Sequence, residues 1–130
     1  MSASARLATA EGLLDGISRL DIEGLGGWLH DDVVMELPFT LGEAPLRFEG
    51  MEKVIEAMQS APEMFHRFQF SVHERYWCPE RATAVLEATS MGIMKSQRTY
   101  QNRYLFVFRF REDRIVHWQE FFNPLLAPRP

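Results

Sequence analysis

The second half of the chain is dominated by long stretches with the period-two alternation of β-strands, a pattern that leaves few folds open. Four such stretches run from Phe68 to Tyr76, Thr83 to Met91, Thr99 to Phe110 and Arg114 to Phe122. Pro79, Gly92 and a charged run, Arg111 to Asp113, interrupt the pattern between them. Because connections this short join antiparallel neighbours, the sequence predicts a sheet of long antiparallel strands.

The part before this sheet is mainly helical. Apolar residues recur at three- and four-residue steps at Leu7, Ala10, Leu14 and Ile17, and Asp21 is placed to cap a second, short helix. A strand then puts Val33, Met35, Leu37 and Phe39 on one face, and a shorter one covers Leu46 to Glu49. Gly50 opens a further helix that Pro62 closes. The order indicates an α+β fold with helices on one face of the sheet, in a single domain over residues 1–130.

Charge and composition argue against several classes of protein. A net charge of −4 does not suit a nucleic-acid binder, and the longest apolar runs are far too short to cross a membrane. Cys78 is the only cysteine and the N-terminus lacks the pattern of a secretory signal, so we expect a cytoplasmic protein. The histidines show no metal-ligand spacing and there is no glycine-rich phosphate loop, so we expect neither a metal nor a cofactor.

The last two strand-like stretches carry the most specific chemistry. In the first, Tyr104, Phe106, Phe108 and Phe110 share a face; in the second, Val116, Trp118, Glu120 and Phe122 alternate against Ile115, His117, Gln119 and Phe121. A three-residue loop with Asp113 in the left-handed conformation pairs Phe110 with Arg114 and puts Phe106 opposite Trp118. A loop one residue longer or shorter puts His117 and Gln119 beside the aromatic column instead.

In the three-residue register, Glu120 is the only carboxylate on a wall of Tyr, Phe and Trp. Loss of hydration in such surroundings raises the pKa of a carboxyl group, which suits a general acid/base that works near neutral pH. The alternative is structural: Glu120 pairs with an arginine or lies at the open edge of the sheet. The aromatic column is then plain core beneath the helices.

The same segment carries a family resemblance. Tyr100-Gln101-Asn102-Arg103-Tyr104, the aromatic strand, the charged turn, and Glu120-Phe121-Phe122-Asn123-Pro124 resemble the C-terminal signature of SnoaL-like proteins, in the ketosteroid isomerase and nuclear transport factor 2 superfamily. Upstream, Asp31-Asp32-Val33-Val34 leads into a strand that ends at Pro38. The resemblance spans essentially the whole chain. It implies a cone, in which a curved mixed sheet wraps around helices with a pocket at its open end, and it implies a homodimer.

Within that superfamily, the hairpin resembles that of the SnoaL-like phenazine-biosynthesis proteins. Theirs ends in Glu-Phe-Met-Asn, and the acid/base glutamate of that tetrapeptide falls on Glu120. Their accompanying His and Ser have no counterpart, since apolar Ala57, Met58 and Ala61 occupy that neighbourhood. Ketosteroid isomerases use an Asp base and an oxyanion hole of Tyr and protonated Asp. The resemblance puts Leu37 and Phe106 at the two Asp positions and no Tyr on the tyrosine's helix, so it does not imply that mechanism.

These observations favour a cofactor-independent acid/base enzyme of secondary metabolism that acts on a hydrophobic, ring-containing metabolite. Glu120 would move a proton in an isomerisation, cyclisation, condensation or dehydration, with Tyr104 as a hydrogen-bonding companion and His66 as a candidate at the pocket rim. We expect the pocket walls to be Trp118, Phe106, Phe122, Leu37, Phe39, Met35 and Met58. The alternatives are a non-catalytic binding or assembly module and, ranked last, an epoxide hydrolase with Glu87 as part of a second carboxylate pair.

The outer face of the predicted sheet is the remaining feature of note. It carries Leu105, Val107, Ile115 and Phe121. A face this apolar is typically covered in a folded protein. We therefore expect a homodimer that forms through the sheet.

Overall fold

Six strands form one strongly curved, open sheet in the computed structural model, which describes residues 2–127. The strands are β1 (Leu29–Leu37), β2 (Leu46–Glu49), β3 (Phe65–Cys78), β4 (Thr83–Met94), β5 (Thr99–Arg111) and β6 (Arg114–Phe122). Their order across the sheet is β2-β1-β6-β5-β4-β3. β1 and β6 run parallel, whereas the other neighbours run antiparallel, so the sheet is mixed. The predicted α+β cone is confirmed.

The helices pack on the inner face of this sheet. They are α1 (Ala3–Ser18), α2 (Met51–Met58) and α3 (Ser60–Met64), with 3₁₀-helices at Glu23–Gly27, Pro79–Arg81 and Pro124–Leu126. α1 begins after Ser2, whose hydroxyl accepts a hydrogen bond from the Ala5 N–H at 3.1 Å. Its apolar stripe forms one core with the inner face of the sheet, comprising Ala10, Leu13, Leu14, Ile17, Leu86, Phe106, Phe108 and Trp118 among others. No helix within residues 2–127 has the length and apolar character needed to cross a membrane.

Several predicted boundaries are wrong, each for a local reason. Gly92 lies inside β4, where a side chain would collide with the ring of Phe65, and the turn follows at residues 95–98. Pro62 lies in the first turn of α3, where its missing N–H is tolerated, and α2 has already ended at Met58. β1 begins at Leu29 and ends at Leu37, which leaves Phe39 outside the strand. Asp21 precedes a 3₁₀-helix, and its carboxylate accepts from the Gly24 N–H.

The hairpin between β5 and β6 keeps the predicted faces by a different route. The turn has two residues, Glu112 and Asp113, and Glu112, rather than Asp113, takes the left-handed conformation with φ of 56°. Such a turn alone would reverse the faces of β6. A bulge compensates: Phe110 pairs with Ile115 and Arg109 pairs with His117, so Val116 is the extra residue.

The bulge has two consequences for the predicted register. Phe106 lies opposite Glu120, and Phe108 lies opposite Trp118, so the pairing is shifted by two residues while Trp118 and Glu120 stay on the inner face. Before the bulge the faces are exchanged: Ile115, predicted on the outer face, is fully buried in the core, and Val116, predicted inside, is only half-buried.

Candidate functional site

An apolar cavity of about 330 Å³ lies between the inner face of the sheet and helices α2 and α3. The lining residues come from strands β1, β2, β3, β5 and β6, from the three α-helices and from the segment after β6. They are Ile17, Met35, Leu37, Leu46, Phe48, Ala57, Met58, Ser60, Ala61, Phe65, Phe68, Phe70, Tyr100, Tyr104, Glu120, Phe122 and Ala127. A ligand pocket of this size and polarity accommodates a small organic molecule. Among the lining residues that the structure describes, Glu120 is the only carboxylate, and there is no Lys, Arg or His.

The Glu120 carboxylate has few polar neighbours. The Trp118 indole N–H donates a hydrogen bond to Glu120 Oε1 at 3.2 Å, and no salt bridge within residues 2–127 involves this carboxylate. Burial raises the pKa of Glu120 to about 7, and the hydrogen bond from Trp118 opposes part of this rise. Near neutral pH, both protonation states are therefore populated, as a residue that takes up and returns a proton requires.

A chain of hydroxyl groups reaches the same cavity from β4 and β5. Tyr104 Oη lies 2.9 Å from Ser90 Oγ on one side and 2.9 Å from Tyr100 Oη on the other. Asn102 Nδ2 donates to Tyr100 Oη at 2.8 Å. Burial raises the pKa of the Tyr100 phenol and that of the Tyr104 phenol above the usual value for tyrosine, and the nearby Glu120 charge adds to the rise. Both tyrosines are therefore neutral hydrogen-bonding groups over the whole range in which Glu120 titrates.

The structure places six of the predicted site residues in the cavity lining: Glu120, Tyr104, Phe122, Leu37, Met35 and Met58. Phe106 and Trp118 were predicted as walls but are fully buried in the core, outside the lining. Phe106 packs edge-on against Phe70, which does line the cavity. Trp118 instead acts on the site through its hydrogen bond to Glu120.

Two predicted site residues lie elsewhere. His66 is exposed, in a shallow depression with Ser18 and Arg67, because β3 turns the ring of Phe65 inward at its first residue and the neighbouring side chain outward. Phe39 lies beyond the end of β1, is 54% exposed, and packs edge-on against Phe121. Neither residue lines the cavity, so both assignments to the pocket are corrected.

Tyr100 and the residues that orient it were not among the predicted site residues. Tyr100, Asn102 and Tyr104 share a face of β5 with Phe106, so extending the period-two pattern back to the start of the strand would have included them. Phe68 and Phe70 of β3 follow the same rule. Ser90 carried no signal of its own, since only the pairing of β4 with β5 brings it beside Tyr104.

Two other carboxylates of the sheet, Glu36 and Glu87, face away from the cavity. Glu36 bonds His117 and lies 3.3 Å from Arg47 on the outer side of the sheet, and the bond from His117 lowers its pKa. Glu87 is not among the lining residues, so no second carboxylate of the described chain stands beside Glu120. Within residues 2–127, no group of three or more His, Cys, Asp or Glu side chains is placed to hold a metal ion.

Comparison with known proteins decides the family. The model of the SnoaL-like domain matches residues 10–118, well over half of the chain. The chain belongs to the SnoaL-like family. Among curated proteins, this SnoaL-like chain is 25% identical over 98 residues to the uncharacterized protein YesE of Bacillus subtilis. The aligned residues make up 75% of this chain and 67% of YesE.

Solved structures of SnoaL-like and related proteins superpose on nearly the whole chain. One is a proposed isomerase from Bacillus subtilis, with a TM-score of 0.85 and 21% identity over 95% of this chain and 89% of that one. Another is a phenazine biosynthesis-related protein from Pseudomonas aeruginosa, with a TM-score of 0.74 and 16% identity over 98% of this chain and 88% of that one. These likenesses confirm the predicted fold, and the match to the family model confirms the resemblance to SnoaL-like proteins. Membership of the SnoaL-like family supports a fold that binds or transforms small molecules.

Proposed function

We propose that this SnoaL-like protein is a cofactor-independent acid/base enzyme that acts on a hydrophobic, ring-containing metabolite. One observation carries the proposal: an unpaired carboxylate, Glu120, lies in an apolar cavity with its pKa raised to about 7. A carboxylate in such a place costs stability and is retained at functional sites. Its contribution as a general acid/base would be roughly 10²–10⁴ in rate.

The reaction class follows from the groups present. The ionised Glu120 carboxylate would accept a proton from an acidic C–H or O–H of the bound molecule, and the resulting carboxylic acid would return it to another atom of the same molecule. Such a transfer balances without any other reactant, as in an isomerisation or a cyclisation. Met35, Leu37, Met58 and Phe122 would hold the apolar ring, and Tyr104 would offer a hydrogen bond. Hydrolysis through a pair of carboxylates is disfavoured because, among residues 2–127, the lining holds no second carboxylate beside Glu120.

The test begins with a thermal-shift screen of lactones, polyketide-like aromatics, phenazine precursors and steroids, since binding raises the unfolding midpoint by mass action. Each compound that binds is then incubated with the protein in D₂O, and exchange of its acidic C–H groups is followed by NMR. We expect exchange or turnover with wild type and with Glu87→Gln, a matched change outside the cavity. Glu120→Gln should slow the reaction by at least about a hundredfold.

The opposite result would identify a different kind of protein. If Glu120→Gln binds the same compounds and wild type neither exchanges nor converts any of them, the cavity belongs to a non-catalytic binding or assembly module. Equal rates for wild type and Glu120→Gln would show that another group transfers the proton.

A further inference from the structure

The Asn102 side chain fixes the direction of the hydroxyl chain. Its Oδ1 accepts hydrogen bonds from two backbone N–H groups, those of Arg103 at 2.8 Å and Asn123 at 3.1 Å. Only the carbonyl end of an amide can accept, so the orientation of this side chain is determined. Nδ2 therefore donates, to Tyr100 Oη at 2.8 Å and to the Asn123 carbonyl at 3.0 Å. Tyr100 Oη cannot use its own proton on Asn102.

The three hydroxyl groups of Tyr100, Tyr104 and Ser90 have one more proton than their mutual hydrogen bonds use. Tyr100, Tyr104 and Ser90 carry three hydroxyl protons, and the two contacts between them consume two. No further acceptor for these hydroxyls lies within hydrogen-bond distance in the described part of the chain. Ser90 is buried and does not line the cavity, so leaving its proton unpaired would cost the desolvation of a buried donor. The favourable arrangement has Ser90 donate to Tyr104, which leaves one tyrosyl proton for the cavity.

The other polar groups of the cavity are already engaged. The Ser60 hydroxyl donates to the Ala57 carbonyl at 3.3 Å, and the Trp118 N–H donates to Glu120. Among residues 2–127, the lining contains no Lys, Arg or His to attract an anion. A ligand carboxylate would therefore lose its hydration beside Glu120 with no cation to replace it.

We infer that the Tyr100–Tyr104 pair is a donor site for one uncharged oxygen of the ligand, a ring ketone, quinone or lactone carbonyl, and that acidic ligands are excluded. The inference rests on the proposed function, because it places the carbonyl in the same cavity as Glu120. Asn102 and Ser90 are positioning residues, since they act through the two phenols. A carbonyl held there also acidifies the neighbouring C–H groups, which suits proton transfer to Glu120.

The test uses two probes with the same bicyclic skeleton, 1-tetralone and tetralin, and a bicyclic carboxylate, 1-naphthoate. Affinity is measured by calorimetry at pH 9. At that pH, Glu120 is ionised and cannot donate, whereas the buried tyrosines keep their protons. The double variant Tyr100→Phe/Tyr104→Phe should weaken tetralone binding roughly five- to tenfold and change tetralin binding less than twofold, since one hydrogen bond is lost. Wild type should also lower the carbonyl stretching frequency of bound tetralone, and the double variant should not.

The single variants Tyr100→Phe and Tyr104→Phe should each retain one hydroxyl group that can donate to the ligand. In Tyr100→Phe, Tyr104 can still receive from Ser90 and donate to the ligand; in Tyr104→Phe, Tyr100 still receives from Asn102 and can donate. Each single variant should therefore keep tetralone affinity within about twofold, because one donor remains. Tyr76→Phe is the matched control, since Tyr76 is 54% exposed and lies outside the lining.

Four outcomes would overturn the inference: unchanged tetralone affinity in the double variant, full loss in either single variant, 1-naphthoate binding as tight as that of tetralone, or no binding of either bicyclic probe. Retained tetralin binding shows that the double variant is folded. None of the variants alters Glu120, and the probes need not react. The donor site can therefore fail while the Glu120-dependent exchange stands, and the reverse also holds.

Discussion

At the scale of single residues, the main feature is a carboxylate held where it is least stable. Within residues 2–127, Glu120 has one hydrogen bond, from Trp118, in a mainly apolar cavity. A pKa of about 7, against the ordinary 4.5, means that folding favours the protonated form. The folded protein therefore loses stability as the pH rises from about 4.5 to about 7, and it carries the full penalty above that range.

Glu120→Gln should remove this penalty, because the amide keeps an acceptor for Trp118 and is never charged. We expect the free energy of unfolding of Glu120→Gln to exceed that of wild type by up to about 3 kcal/mol at pH 8. At pH 5, the difference should be below about 1 kcal/mol. Urea denaturation at the two pH values measures both differences. A variant less stable than wild type at pH 8 would mean that Glu120 is a favourably paired, structural carboxylate.

At the scale of elements, strand faces could be predicted but pairing and boundaries could not. Alternation depends on each residue and its near neighbours, so the pattern alone put Tyr104 on one face with Phe106, and Glu120 on one face with Trp118. Which face of β6 lies inside depended on the turn and on the bulge. The pairing of β5 with β6 depends on the bulge at Val116, which leaves no mark in a stretch where both faces mix apolar and polar residues. Phe39 was misplaced because the alternation continues to it, although Pro38, which cannot donate to a strand ladder, follows Leu37, the last residue of β1.

The packing of β3 against β4 predicts how the cavity responds to a small change. A Cβ on Gly92 would lie 2.8 Å from the ring of Phe65 and 3.1 Å from that of Phe68, and both rings line the cavity. Gly92→Ala should therefore displace these rings, reduce stability by about 1–3 kcal/mol and weaken tetralone binding severalfold. Thermal unfolding and calorimetry measure the two effects.

Gly27→Ala is the matched control for this change, since nothing lies within 4 Å of a Cβ at that position. Its stability should stay within about 0.5 kcal/mol of wild type. Unchanged stability and affinity in Gly92→Ala would show that the two rings have room to move and do not fix the shape of the cavity.

At the scale of the whole molecule, the outer face of the sheet is apolar around Leu105, Val107 and Phe121. Leu105 is 40% exposed, and Phe39, outside the cavity, extends this surface by packing on Phe121. Ile115 was expected here but is buried, so the patch is smaller than the sequence suggested. We propose that a second copy of the chain covers this face, which would make the protein a homodimer.

Leu105→Glu should disrupt this dimer, because the partner would bury an unpaired charge. Light scattering should give the mass of a dimer for wild type and of a monomer for Leu105→Glu. Ser4→Glu adds the same charge on α1, away from the sheet, and should remain dimeric. A monodisperse wild-type monomer would contradict the proposal.

The position of β6 between β1 and β5 also sets the order in which the molecule can assemble. β1 and β2 join the other strands only through the pairing of β1 with β6. This pairing places Met35 beside Trp118, although the two residues are far apart in the sequence. Non-local pairing of this kind slows folding, because a long loop must close before any contact is gained. We expect a hairpin meander of β3 to β6 to form early and β1 to dock in a slow, final step. The cavity, whose wall includes Met35 and Leu37, closes around Glu120 only then.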